Sequence, residues 1–268
     1  MKRNIFLLFS ILLMVSSCRT FDHKNPYPNM EIIDYESNHA YLFKADTGEK
    51  LIICLEGSGW DSNLGIKGEK KWKSTRIGAQ LLQTLGDEYT ILIPEKLNRL
   101  PGNVHYNDMH DRATYTIDNI VEGYVSTING YISENKPKMI FLVGISEGAA
   151  ILPEVYNRII DKNRIRGIVS YGCGGLSLIE SYEIILKYDN LPDDTKYMYS
   201  HMISTFSQKS NDLPLSYKED YFGITYQYLN TILFIRPVEA YKNMDIPVLF
   251  LHGKKDIKLV YNSFCKLG

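Results

Sequence analysis

The chain of 268 residues has few cysteines, no run of like charge and only one long apolar stretch outside its candidate strands. Its four cysteines, Cys18, Cys54, Cys173 and Cys265, lie far apart with no C-x-x-C pair, so neither a zinc ribbon nor a disulfide framework fits the spacing. Cys54 and Cys173 sit in apolar or glycine-rich stretches where a free thiol packs as a small hydrophobe, while Cys265 is expected to be exposed. Thirty basic residues face 31 acidic ones for a formal charge of −1. Without a basic stripe there is no electrostatic footprint for a nucleic-acid partner. The histidines and carboxylates show no ligand spacing, so no metal and no cofactor is expected. Internal repeats and low-complexity segments are also lacking.

The apolar stretch Ile5 to Val15 is too short to span a bilayer comfortably. Lys2 and Arg3 precede it and Ser16, Ser17 and Cys18 follow, the order of an export signal. Val15-Ser16-Ser17-Cys18 resembles the lipobox of bacterial lipoproteins. That resemblance implies a signal peptide at 1–17 and a lipidated Cys18 holding the chain at a membrane of the bacterial cell envelope. Residues 18–29, polar with two prolines, would form the tether. A plain secretory signal with a coincidental cysteine is the other reading.

From residue 30 onward the chain reads as one domain, since 44% hydrophobic residues can build one sizeable core. "MEIIDYES" and "AYLFKA" predict an antiparallel hairpin. "KLIICLEGSGW" predicts a strand buried on both faces that opens into a glycine loop. Ile77, Leu81, Leu82 and Leu85 mark a helix before the strand "YTILIPEK". A second helix, from near Thr116, carries Ile120, Tyr124, Ile128 and Ile132 on one face and ends at Pro137. "KMIFLVG" is a buried strand, "EGAAILPEVYNRII" a helix with Pro153 near its first turn, and "RIRGIVSYG" another strand. This alternation predicts an α/β fold with a mostly parallel central sheet and helices on both faces. A Tyr-rich, mostly helical stretch at about 174–244 reads as an inserted cap before the strand Ile246 to Leu251. The twenty tyrosines suit either an aromatic-lined cleft or a wet, half-buried surface.

One motif carries chemistry. In "FLVGISEGAA", Ser146 stands between Gly144 and Gly148, directly after a buried strand and before a helix, as a nucleophile elbow requires. A strained turn there leaves no room for side chains at the flanking positions. The Glu147 N–H would start the helix, where it can donate to a developing oxyanion. From about Met30 to the end the chain resembles the α/β-hydrolase family, through "LEGSGW", "GISEG" and "PVLFLHGKKD" in that order. The resemblance implies an oxyanion hole from the Ser58 and Glu147 amides, with Glu56 standing where the family usually has histidine. It also implies Ser146 as nucleophile of an acyl-enzyme, Asp256 as the acid that orients a histidine, and a small-molecule ester or other acyl compound as substrate. Taken singly, the glycines Gly57 and Gly59 equally suit a tight turn, and Asp256 a helix cap or a solvated loop.

The family's histidine follows its aspartate, yet only twelve residues follow Asp256, none of them histidine. The expectation is a chain cut short at its C-terminus, by truncation, frameshift or early stop, with weak or no turnover. Among the histidines present, His105 and His110, with Asp108 or Asp111 as orienters, and His201 in the cap are substitute bases. His252 reads as part of its turn, and His23 and His39 lie too near the start. The remaining reading is a catalytically impaired envelope lipoprotein that binds a small ligand.

Overall fold

The structure, a computed structural model, describes residues 30–36, 38–59, 63–64, 77–96, 115–187, 191–206, 220–221 and 224–253. The chain opens with the antiparallel pair β1 (Met30–Tyr35) and β2 (Asn38–Phe43), then β3 (Lys50–Leu55), α1 (Ile77–Leu85) and β4 (Thr90–Pro94). α2 (Ile117–Asn135), β5 (Met139–Ile145), α3 (Glu147–Arg158) and β6 (Ile165–Tyr171) follow. Between β6 and β9 (Val248–Leu251) lie α4 (Leu178–Ile185), α5 (Asp193–Thr205), the short pair β7 (Asp220–Tyr221) and β8 (Ile224–Thr225), α6 (Tyr226–Ile232) and α7 (Pro237–Lys242).

Seven strands form one sheet in the order β1-β2-β4-β3-β5-β6-β9. β2 is antiparallel to β1 and β4, and the ladders from β4 to β9 are parallel. The apolar runs read as strands because alternate residues have two cores to fill. Leu51, Ile53 and Leu55 join Leu142 and the helices α2 and α3 on one face. Ile52 and Cys54 join Ile91, Ile93, Phe141 and α1 on the other. The chain moves outward from β3 in both directions, to β4 on one side and β5 on the other. The crevice at the C-terminal ends of β3 and β5 is therefore the topological switch point, where open α/β sheets bind ligands.

The helices begin and end where their sequence directs. The Thr116 side chain accepts the Asn119 N–H at the start of α2, and Lys136 closes it in the left-handed conformation with its N–H on the Ile132 carbonyl. Ser177 and Glu180 form a reciprocal capping box on α4. The inserted helices share the main core, which takes in Ile179, Met202, Phe206, Leu229, Ile232 and Tyr241. Among the described residues no helix is long and apolar enough to cross a membrane.

Pro153 departs from expectation, because it lies inside α3 beyond the first turn. Proline has no N–H for the carbonyl four residues back, which here belongs to Ala149. The Tyr241 hydroxyl from α7 donates to that oxygen at 2.6 Å and replaces the missing bond. Replacing Tyr241 with Phe should cost about 1–3 kcal/mol, the usual penalty for an unsatisfied buried acceptor. A fall in the urea midpoint with an unchanged m-value checks it.

Candidate active site

Ser146 joins β5 to α3 with φ 51° and ψ −112°, a left-handed backbone that a non-glycine residue adopts only under constraint. Its N–H donates to the Tyr171 carbonyl at the end of β6 at 2.8 Å. The constraint comes from packing on both sides. A Cβ on Gly148 would lie 2.2 Å from the Leu55 carbonyl oxygen, and one on Gly144 would lie 2.6 Å from the Ala149 Cα. Glycine at these two positions lets α3 press against the end of β3, and Ser146 is left exposed above the sheet.

The loop after β3 lies against the serine. A Cβ on Gly57 would come within 3.3 Å of the Ser146 Cβ. Ser58 is exposed beside it and lines the same cleft as Ser146 and Glu147. Glu56 is 1% exposed, and its Oε1 accepts the Gly78 N–H of α1 at 2.7 Å. The carboxylate thus ties the loop to α1. On the far side, Glu95 accepts the Asn63 N–H at 2.7 Å, and the Asn63 amide donates to the Pro94 carbonyl and to the Tyr124 hydroxyl.

Beneath the turn lies a charged cluster that the sequence reading missed. Lys96, 1% exposed just after β4, is 2.7 Å from Glu147 Oε1, and Glu147 is itself only 4% exposed. The same Nζ donates to the Gly57 carbonyl at 3.0 Å and to the Tyr115 hydroxyl at 2.9 Å. Tyr115 in turn meets Glu147 Oε2 at 3.1 Å, and the Tyr228 hydroxyl of α6 donates to the same oxygen. The tyrosine rings lie 4.9 Å apart. Burial first, then the Glu147 carboxylate, pushes the Tyr228 phenol well above its usual range. A lysine directly after an apolar strand, at the edge where such folds place their sites, was the available signal. Nothing local showed that it would be buried.

The cleft over Ser146 spans about 450 Å³, part of it open to solvent, and Ala150, Leu176, Leu178, Ile232 and Ile235 supply its apolar walls. Cys173 also lines it as a free thiol, pushed up to about 12 by burial. Arg236, next in sequence to the lining residues Ile235 and Pro237, pairs with Glu180, and this hydrogen bond does most to hold the Glu180 carboxyl down at about 2. Among the described residues lining the cleft none is a histidine. His201, on α5, meets the Thr205 hydroxyl at 3.1 Å, and His39 pairs with Asp34 on the opening hairpin. His252 follows β9 and is half-buried. Asp256, His105, His110, Asp108, Asp111, His23, Cys18 and Cys265 lie outside the described residues. Among the described residues no three His, Cys, Asp or Glu side chains gather as ligands for a metal ion.

No family model matches the chain, and no curated protein matches it either. Solved structures do. An esterase of Pyrococcus furiosus aligns over 92% of this chain and 80% of its own, with a TM-score of 0.52 and 12% identity. A lipase-esterase related protein of Clostridium acetobutylicum covers 85% of each chain, with a TM-score of 0.51 and 20% identity. A soluble variant of monoglyceride lipase from Saccharomyces cerevisiae aligns over 92% of this chain and 82% of its own, with a TM-score of 0.52 and 13% identity. At these identities the likeness is one of fold, and the fold is that of the α/β-hydrolases.

Gly148→Ala should destabilise the chain by about 1–3 kcal/mol or more, because the added methyl meets backbone that cannot rotate aside. Chemical denaturation of the purified variant measures the loss, and an unchanged midpoint would contradict the close packing of α3 on β3.

Proposed function

We propose that the chain is a serine hydrolase of the α/β-hydrolase type, acting on a small-molecule ester or other acyl substrate through an acyl-enzyme at Ser146. One observation carries the reading: an exposed serine held at positive φ between a central strand and a helix, at the mouth of an apolar cleft. Strained backbone of this kind persists where the surrounding structure fixes it, and such sites cluster at catalytic centres. The esterase and lipase names of the similar folds support the class.

In this reaction the Ser146 Oγ attacks the substrate carbonyl carbon, and its proton passes to a base. The carbonyl oxygen becomes an oxyanion received by the Ser58 and Glu147 amides. Collapse expels the alcohol, which takes the proton from the base, and water then releases the acid by the same steps. Asp256 is the acid that would orient that base, a histidine that the twelve residues after it do not contain. The apolar walls take the acyl or alcohol chain, because burying its CH₂ groups contributes about 0.8 kcal/mol each. Ligand binding without turnover is the second reading, favoured by the lack of a histidine among the described residues lining the cleft.

Lipid on Cys18 anchors the chain to the cell-envelope membrane in the same proposal. Its support is the Val15-Ser16-Ser17-Cys18 sequence after a short apolar run with a basic head.

A fluorophosphonate probe should label Ser146 where a base is in place, and Ser146→Ala should abolish that labelling together with any p-nitrophenyl ester hydrolysis the parent shows. Labelling that survives the substitution would remove Ser146 as the nucleophile. Ligand uptake with neither labelling nor hydrolysis would instead favour the binding reading. Expressed in bacteria, the full chain should incorporate radiolabelled palmitate and sediment with membranes. Cys18→Ala should lose both properties, and an unlabelled full chain would overturn the anchor.

A further inference from the structure

We infer that the buried Lys96–Glu147 ion pair is a positioning device that holds both oxyanion donors at Ser146; this rests on the acyl-enzyme reading given above. In a planar trans peptide the carbonyl and the N–H point in opposite directions, so fixing one fixes the other. Lys96 Nζ donates to the Gly57 carbonyl at 3.0 Å, and the N–H on the other side of that peptide belongs to Ser58. Gly57 packs on the serine, so the peptide it shares with Ser58 runs beside the hydroxyl. Residue 57 has no side chain and Gly59 follows at φ 127°, so the loop has unusual freedom to rotate. The ammonium restrains it.

The same Nζ lies 2.7 Å from the carboxylate of Glu147, the residue whose own N–H is the other donor at the start of α3. One cation thus meets the carbonyl of one donor peptide and the side chain of the residue that carries the other donor. Tyr115 and Tyr228 occupy the second carboxylate oxygen, so Glu147 cannot swing away from Lys96. An ammonium on a carbonyl also polarises that peptide and strengthens its N–H as a donor, an effect greatest where water is excluded. Neither Lys96 nor Glu147 needs to touch substrate through its side chain for this role.

Lys96→Met alone would strand a buried carboxylate, so the pair is replaced together as K96M/E147Q, in which the glutamine still accepts from the tyrosines. Folding is followed by circular dichroism and thermal midpoint, and fluorophosphonate labelling of Ser146 is resolved into a binding constant and an inactivation rate. The variant should fold and bind the probe as the parent does, with an inactivation rate lower by about a hundredfold, the scale of losing one oxyanion donor. Its crystal structure should show the Gly57 carbonyl turned from its parental direction. A folded variant with a parental inactivation rate, or with the Gly57–Ser58 peptide unmoved, would overturn the proposal. If the parent itself fails to label, the acyl-enzyme reading falls, and the peptide orientation in the variant still decides whether the pair positions the loop.

Discussion

The backbone contact between the start of α3 and the end of β3 sets the terms for everything around it. Any side chain at residue 148 would overlap the Leu55 carbonyl, so the helix comes as close to the strand as glycine allows. The turn between β5 and α3 is then too short for an ordinary backbone, and Ser146 takes positive φ. Its hydroxyl consequently stands clear of the sheet, over the crevice that the strand order opens beside β3. The strain at one residue is sustained by two strands buried along most of their length and a helix, none of which can relax without losing core packing.

A buried ion pair below such a turn is costly. Desolvating an ammonium and a carboxylate is repaid only when hydrogen bonds satisfy them from several sides, and removing one partner typically costs about 3–5 kcal/mol. Here the Gly57 carbonyl and two phenols supply those bonds. The pair and these groups come from the segment after β4, the start of α3, the loop after β3, the residue before the α2 cap, and α6 of the insertion. The insertion therefore contributes more than a wall to the cleft. Through Tyr228 it meets the charge network under the serine, and through Tyr241 it completes the hydrogen bonding of α3.

Much of the sheet was legible because burial on two faces leaves an unmistakable trace. β3, β5 and β6 are apolar runs ended by glycine or turn residues, and α2 repeats its apolar positions at helical spacing between a threonine cap and a proline. The serine turn was legible for a similar reason, since two glycines at fixed offsets answer local steric demands. Pro153 misled, because the bond that keeps it inside α3 comes from a tyrosine far along the chain. Lys96 was passed over because a lysine after a strand is ordinarily solvated, and its burial depends on Glu147, Tyr115 and Gly57 arriving from elsewhere.

The sequence alone determined what short-range physics can enforce: which segments are strands or helices, where they are capped, and where glycine is obligatory. Tertiary structure alone decided which strands became neighbours, and so which loops share the crevice. It also decided which polar side chains lost their water, since desolvation depends on groups distant in the chain packing together and leaves no local pattern. Lys96, Glu147 and Tyr228 acquire their partners at that level.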